Sequence, residues 1–223
     1  WELYNEWTPM QEEWEKWNIK PLMTLHNHPH WFVCKTPITT MEELNGKKMW
    51  VAGFWQVLGQ HYGLINVKMT APESYDALQK NMIVGVFGMP YHTLRIFKYF
   101  EACKYFVDLE FAGGAPVNFE AINLDVWNEI SPTDQKAIEE ISASLPDWYI
   151  TKMDAEDAGL TKFFEEQGVT FIEFSPEEQA KIKNETAELT WDDWTATCKE
   201  KGIPGEEFLK RFKAKVAEVQ SRS

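Results

Sequence analysis

Between Ile19 and Ile122, short apolar runs alternate with short helical patterns, and proline-opened helical stretches follow; this order constrains the fold more than any single motif. Ile19–Leu25, Trp31–Lys35, Lys48–Ala52, Val67–Met69, Met82–Phe87, Phe106–Phe111 and Val117–Ile122 read as strands. Thr40–Glu43 with the stop Asn45-Gly46, Trp55–Tyr62, Glu73–Gln79 and Tyr91–Tyr99 read as the helices between them. Such alternation predicts an α/β fold with a mainly parallel sheet. Ahead of it, Leu3, Trp7, Met10, Trp14 and Trp17 fall on one face of a helix, read as a packing face. Behind it, Ser131-Pro132 opens a helix predicted to bend at Pro146 and run towards Gly168. Ser175-Pro-Glu-Glu178 opens another, ending near Gly202, and Phe208, Phe212, Val216 and Val219 mark a last amphipathic helix.

Charge removes some functions. Acidic residues number 35 against 22 basic ones, a net charge of −13, which repels nucleic acid and anionic lipid. Only Arg95, Arg211 and Arg222 are arginines, so the planar fork that grips carboxylates is scarce. Cys34, Cys103 and Cys198 fit neither a disulfide framework nor a zinc motif and read as buried thiols. No apolar run reaches the ~20 residues of a membrane span, so direct membrane insertion is not expected. The chain starts at Trp1, shows no signal peptide, and reads as a cut end.

Several segments, in order, resemble the solute-binding proteins of TRAP transporters, the DctP-type periplasmic receptors. They are Pro37-Ile-Thr-Thr-Met-Glu-Glu-Leu-Asn-Gly-Lys-Lys48, Glu73-Ser-Tyr-Asp-Ala-Leu-Gln79, Lys98-Tyr-Phe-Glu101 with Lys104-Tyr105, and Asn123-Leu-Asp-Val-Trp-Asn128 before Ser131-Pro132. The resemblance covers about Trp17 to Gln167. It implies a two-lobed periplasmic-binding-protein-like fold of type II, with long C-terminal helices and without the N-terminal βα units of the first lobe. Residues 1–27 and 115–156 would be the remainder of the first lobe, 28–114 the second, and 157–223 helices packing on the lobes. It also implies a periplasmic receptor, not an enzyme, that binds a small organic solute between its lobes and delivers it to TRAP membrane subunits, with no cofactor and no nucleic acid.

The family's carboxylate-gripping arginine falls at Trp50, an Asn of the pocket at Gly88, and an aromatic at Ala71. Indole cannot make two charge-assisted hydrogen bonds, so either the ligand is not held as a carboxylate or another residue anchors it. The competing reading makes Trp50 plain core. Expected ligand-binding residues are Trp50, His30, Phe54, Trp55, Phe87, Gly88, Tyr91 and Asn118, with Glu120 or Asp108 as counter-charge for an amine. The rings suit aromatic, neutral or cationic ligands, or equally form core.

One rival comes from another class. His26, His28 and His30 alternate and would share one face of a strand, as ligands of a metal-dependent hydrolase or lyase must. Pro29 interrupts the pairing and no acid stands in a supporting position, so no metal site is assigned. Gly-x-Ser-x-Gly, His-Glu-x-x-His and phosphate-loop motifs are absent from the sequence.

Overall fold

The computed structural model describes residues 1–26, 29–53, 55–109, 112 and 117–222. In chain order the helices are α1 (Glu2–Glu6), α2 (Thr8–Lys16), α3 (Trp55–His61), α4 (Ala71–Gln79), α5 (Tyr91–Ile96), α6 (Tyr99–Ala102), α7 (Leu124–Glu129), α8 (Pro132–Glu166), α9 (Pro176–Glu200) and α10 (Gly205–Gln220). The strands are β1 (Ile19–His26), β2 (His30–Cys34), β3 (Lys48–Val51), β4 (Ile65–Asn66), β5 (Gly85–Pro90), β6 (Tyr105–Asp108), β7 (Val117–Asn123) and β8 (Thr170–Ile172). The class is mixed α/β. The chain divides into two compact units, one of Trp1–His26, Val117–Thr151 and Trp191–Ser223, the other of Asn27–Pro116 and Lys152–Thr190.

The second unit holds a six-stranded sheet in the order β4-β3-β5-β2-β6-β8. β3 runs parallel to β4 and to β5, and β6 parallel to β8, while β2 is antiparallel to both neighbours. The mainly parallel expectation is therefore corrected to a mixed sheet, because the reversed β2 sits in its middle and makes both of its pairings antiparallel. Both faces of β2 are covered, which is why His-Trp-Phe-Val-Cys carries no polar alternation. Phe32 and Cys34 enter one apolar cluster with Met49, Trp55, Phe87 and Phe174. Val33 enters the other with Val86, Tyr91, Phe106, Leu160 and Phe164. The three cysteines are free and buried.

The first unit pairs β1 with β7 antiparallel, from Ile19↔Asn123 to His26↔Val117. α10 packs against the chain start, with Phe208 5.7 Å from the Trp7 ring and Lys215 bridging Glu2 and Glu6. Among the described residues no helix is long and apolar enough to cross a membrane.

Local chemistry redraws several expected boundaries. The first helix breaks at Trp7, which is extended (φ −128°, ψ 100°) because Thr8-Pro9 starts a new one. Val67–Met69 is not a strand; β4 lies two residues earlier, and Val67 adds one more bond, its N–H to the Met49 carbonyl. Lys98 in the left-handed region (φ 55°) divides α5 from α6. At Thr40–Glu43 no capping box forms, because the Glu43 carboxylate accepts from the Thr39 N–H and hydroxyl. The box forms at Thr70–Glu73 instead. Ser175 does cap α9, accepting from the Glu178 N–H at 3.2 Å, while the Glu178 carboxylate accepts from the Met41 N–H at 2.8 Å. α8 continues through Pro146 for 35 residues. Glu110, Phe111, Gly113 and Gly114, read as strand end and turn, lie outside the described residues.

Candidate functional site

His30 opens β2 and is 7% exposed. Its Nδ1 accepts a hydrogen bond from Trp55 Nε1 at 2.7 Å, which fixes that nitrogen as the unprotonated one of the neutral ring. Burial pushes the His30 pKa down to about 4, so the imidazole is neutral near pH 7. Trp55, at the start of α3, is 1% exposed and meets the Phe87 ring edge-on at 5.7 Å. Phe87 in turn stacks on Phe32 at 5.3 Å.

Gly88 explains how an indole fits there. Its φ is +86°, and a Cβ at this position would lie 2.1 Å from Trp55 Cδ1 and 2.9 Å from Nε1. Only glycine permits both the backbone and the ring. His30, Trp55, Phe87 and Gly88 thus form one connected group.

Tyr91 starts α5 and belongs to the other cluster, stacked on Trp31 at 4.6 Å. Its hydroxyl and Thr161 Oγ1 lie 2.9 Å apart, and burial pushes its pKa up to about 12. Trp50 on β3 is half-buried against this second cluster and donates its indole N–H to the Met69 carbonyl at 2.8 Å. Asn118 and Glu120 sit on the exposed strand β7 of the first unit, opposite Leu25 and Met23. Phe54 and His28 lie outside the described residues. Of the other histidines in that run, His26 is exposed at the end of β1. Among the described residues no three His, Cys, Asp or Glu gather as a metal site.

The arginines are occupied elsewhere. The Arg95 guanidinium lies 4.8 Å from the Phe163 ring centroid, Arg211 pairs with Glu207, and Arg222 pairs with Glu218. An open cleft of about 390 Å³ in the second unit is lined by Trp31, Asp108, Thr161, Phe171, Glu173 and Phe174, among others. The sequence reading missed most of it because it missed β8. The signal was present: after Gly168, Val169-Thr-Phe-Ile172 is a short run of β-branched and aromatic residues ahead of the Ser175 cap.

Residues 6–196 match the sequence model of the family described as DctP, Bacterial extracellular solute-binding protein, family 7. The fold is similar to a TRAP periplasmic solute binding protein from Desulfovibrio salexigens at TM-score 0.78 and 22% identity, covering 94% of this chain and 64% of that one. A second protein from Desulfovibrio salexigens, with bound orotic acid, gives TM-score 0.80 and 17% identity over 98% of this chain and 70% of that one. The apo ectoine binding protein TeaA of the TeaABC TRAP transporter gives 0.75 and 19% over 98% and 71%. The chain therefore spans only part of the length of these proteins, 64% of the first.

Proposed function

The chain belongs to the DctP family of bacterial extracellular solute-binding proteins, family 7, and from that premise we propose that it is the receptor part of a TRAP-type uptake system. In this reading it works in the periplasm, captures a small organic molecule, presents it to the membrane subunits, and catalyses nothing. The observation that carries the reading is the family match over residues 6–196. Binding of orotic acid and of ectoine by two proteins of similar fold supports a small organic solute. The hydrolase rival has no comparable support: the histidines that suggested it do not gather a ligand set among the described residues.

The ligand is aromatic, neutral or cationic and is not held by an arginine–carboxylate fork. Position 50 carries an indole whose N–H is already bonded to the Met69 carbonyl, and none of the three arginines stands ready to replace the fork. Trp50, His30, Phe54, Trp55, Phe87, Gly88, Tyr91 and Asn118 are the proposed ligand-binding set. Within it, buried Trp55, Phe87 and Gly88 shape the wall that holds His30.

Calorimetry with aliphatic carboxylates, aromatic amines and neutral aromatics tests both parts, because binding to the native state also raises stability by RT ln(1 + [L]/Kd). The protein should bind an aromatic or amine solute without turnover, and Trp50→Arg should shift preference towards carboxylates. Tight binding of a simple aliphatic carboxylate by the unmodified protein would sink the ligand assignment, and turnover of any bound compound would sink the receptor.

A further inference from the structure

A pocket of about 520 Å³ lies within the first unit, between α2 and the corner that joins α9 to α10, and its chemistry is independent of the transport reading. That volume is within the range of small-molecule sites. Trp7, Phe208 and Trp194 line it as a chain of touching rings, with Phe208 5.7 Å from Trp7 and 5.4 Å from Trp194. Trp14 adds a third indole, held edge-on to Phe119 at 4.6 Å. Trp194 is 39% exposed, so a body seated against it removes indole surface from water. Four charged side chains also line the pocket: Glu12, Glu13 and Lys16 of α2, and Lys201 just past the end of α9. Glu13 is engaged already, accepting from the Trp17 indole N–H at 2.9 Å and facing Lys16 at 3.8 Å. The side chains of Glu12 and Lys201 have no hydrogen-bonded or ion-paired partner among the described residues. Burial pushes the Cys198 thiol up and the Lys201 ammonium opposes that push, which puts the cation beside a buried residue of the lining. The two walls therefore offer one anion and one cation around an aromatic surface.

We propose that this pocket is a second small-molecule site that takes an apolar zwitterion of dipeptide size, with one ammonium, one carboxylate and an aromatic or aliphatic body. The body packs on Trp7, Trp194 and Phe208, the ammonium faces Glu12, and the carboxylate faces Lys201. A ligand of single charge leaves one of the two groups unmatched, and a neutral one leaves both. Glu12 and Lys201 are exposed, so each match adds little affinity and chiefly fixes orientation, while the body supplies most of the binding.

Four probes with one body separate the contributions: phenylalanyl-leucine carries both charges, its C-terminal amide only the ammonium, its N-acetyl form only the carboxylate, and its N-acetyl amide neither. Binding is followed at low salt by the 15N-indole signal of Trp194, assigned as the one lost in Trp194→Phe. The zwitterion should move that signal saturably, with the singly charged forms about threefold weaker and the neutral form about tenfold weaker. Lys201→Gln should remove the advantage of the carboxylate and Glu12→Gln that of the ammonium, both with an unchanged Tm because the two side chains are exposed. Trp194→Ala, read through the Trp7 indole signal, should weaken the zwitterion at least about tenfold. If that variant fails to fold, the two charge variants decide alone. No saturable movement, equal affinity for all four probes, charge variants without effect, or movement confined to Trp50 of the other unit overturns the proposal.

Discussion

Replacing Gly88 by alanine tests how the His30 wall is built. Two costs combine. An alanine held at φ +86° pays about 1–2 kcal/mol for a left-handed backbone, and its Cβ, 2.1 Å from Trp55 Cδ1, must push the indole aside. Overpacking of that kind costs about 1–3 kcal/mol, and the displaced ring strains the 2.7 Å bond to His30. A total near 3 kcal/mol lowers the Tm by roughly 6–12 °C for a chain of this size. Gly46→Ala is the control: its φ is +72°, yet nothing lies within 4 Å of the added carbon, so only the backbone part remains. Thermal unfolding by circular dichroism should rank Gly88→Ala below Gly46→Ala by several degrees. Equal losses in the two variants would falsify the packing argument.

Other outcomes follow from the same structure. His30 ionises near pH 4 when folded and near 6.5 when unfolded, so its stabilisation is complete above about pH 6.5 and is lost as pH falls towards 4. That amounts to at most about 3 kcal/mol; urea unfolding at pH 7 and pH 4.5 should show His30→Gln losing less on acidification than the parent, and a parallel loss in both would refute it. Tyr62 is 8% exposed and donates its hydroxyl to Glu185. Tyr62→Phe should cost about 1–2 kcal/mol in urea unfolding, and a neutral result would show that the bond contributes nothing. Met41 N–H is bonded to the Glu178 carboxylate, so Glu178→Ala should speed hydrogen exchange at Met41 about tenfold, whereas unchanged exchange would assign the protection to burial alone.

The alternation from Ile19 to Ile122 was readable because strands covered on both faces leave continuous apolar runs, as His30–Cys34 and Gly85–Pro90 do. The long helices were readable because Ser-Pro pairs mark their starts. β8 was not, since three residues paired only through β6 leave a short local signal between two long helices. The contact of Trp55 with Gly88 joins residues of α3 and β5, and no local rule indicates that a glycine makes room for a ring 33 positions earlier in the chain. Likewise the composition exposed the shortage of arginine, but only the structure shows where the Trp50 N–H goes.

Neither compact unit is built from one stretch of chain, and this sets an order of synthesis. β1 must wait for β7 before Ile19 can meet Asn123, and Glu2, Glu6 and Trp7 must wait for Lys215 and Phe208, which lie far later in the chain. The other unit has all its segments once Thr190 has been made. Helices α1 and α2 are therefore made well before the partners that stabilise them, and a nascent chain carries their tryptophans unprotected until α10 has emerged.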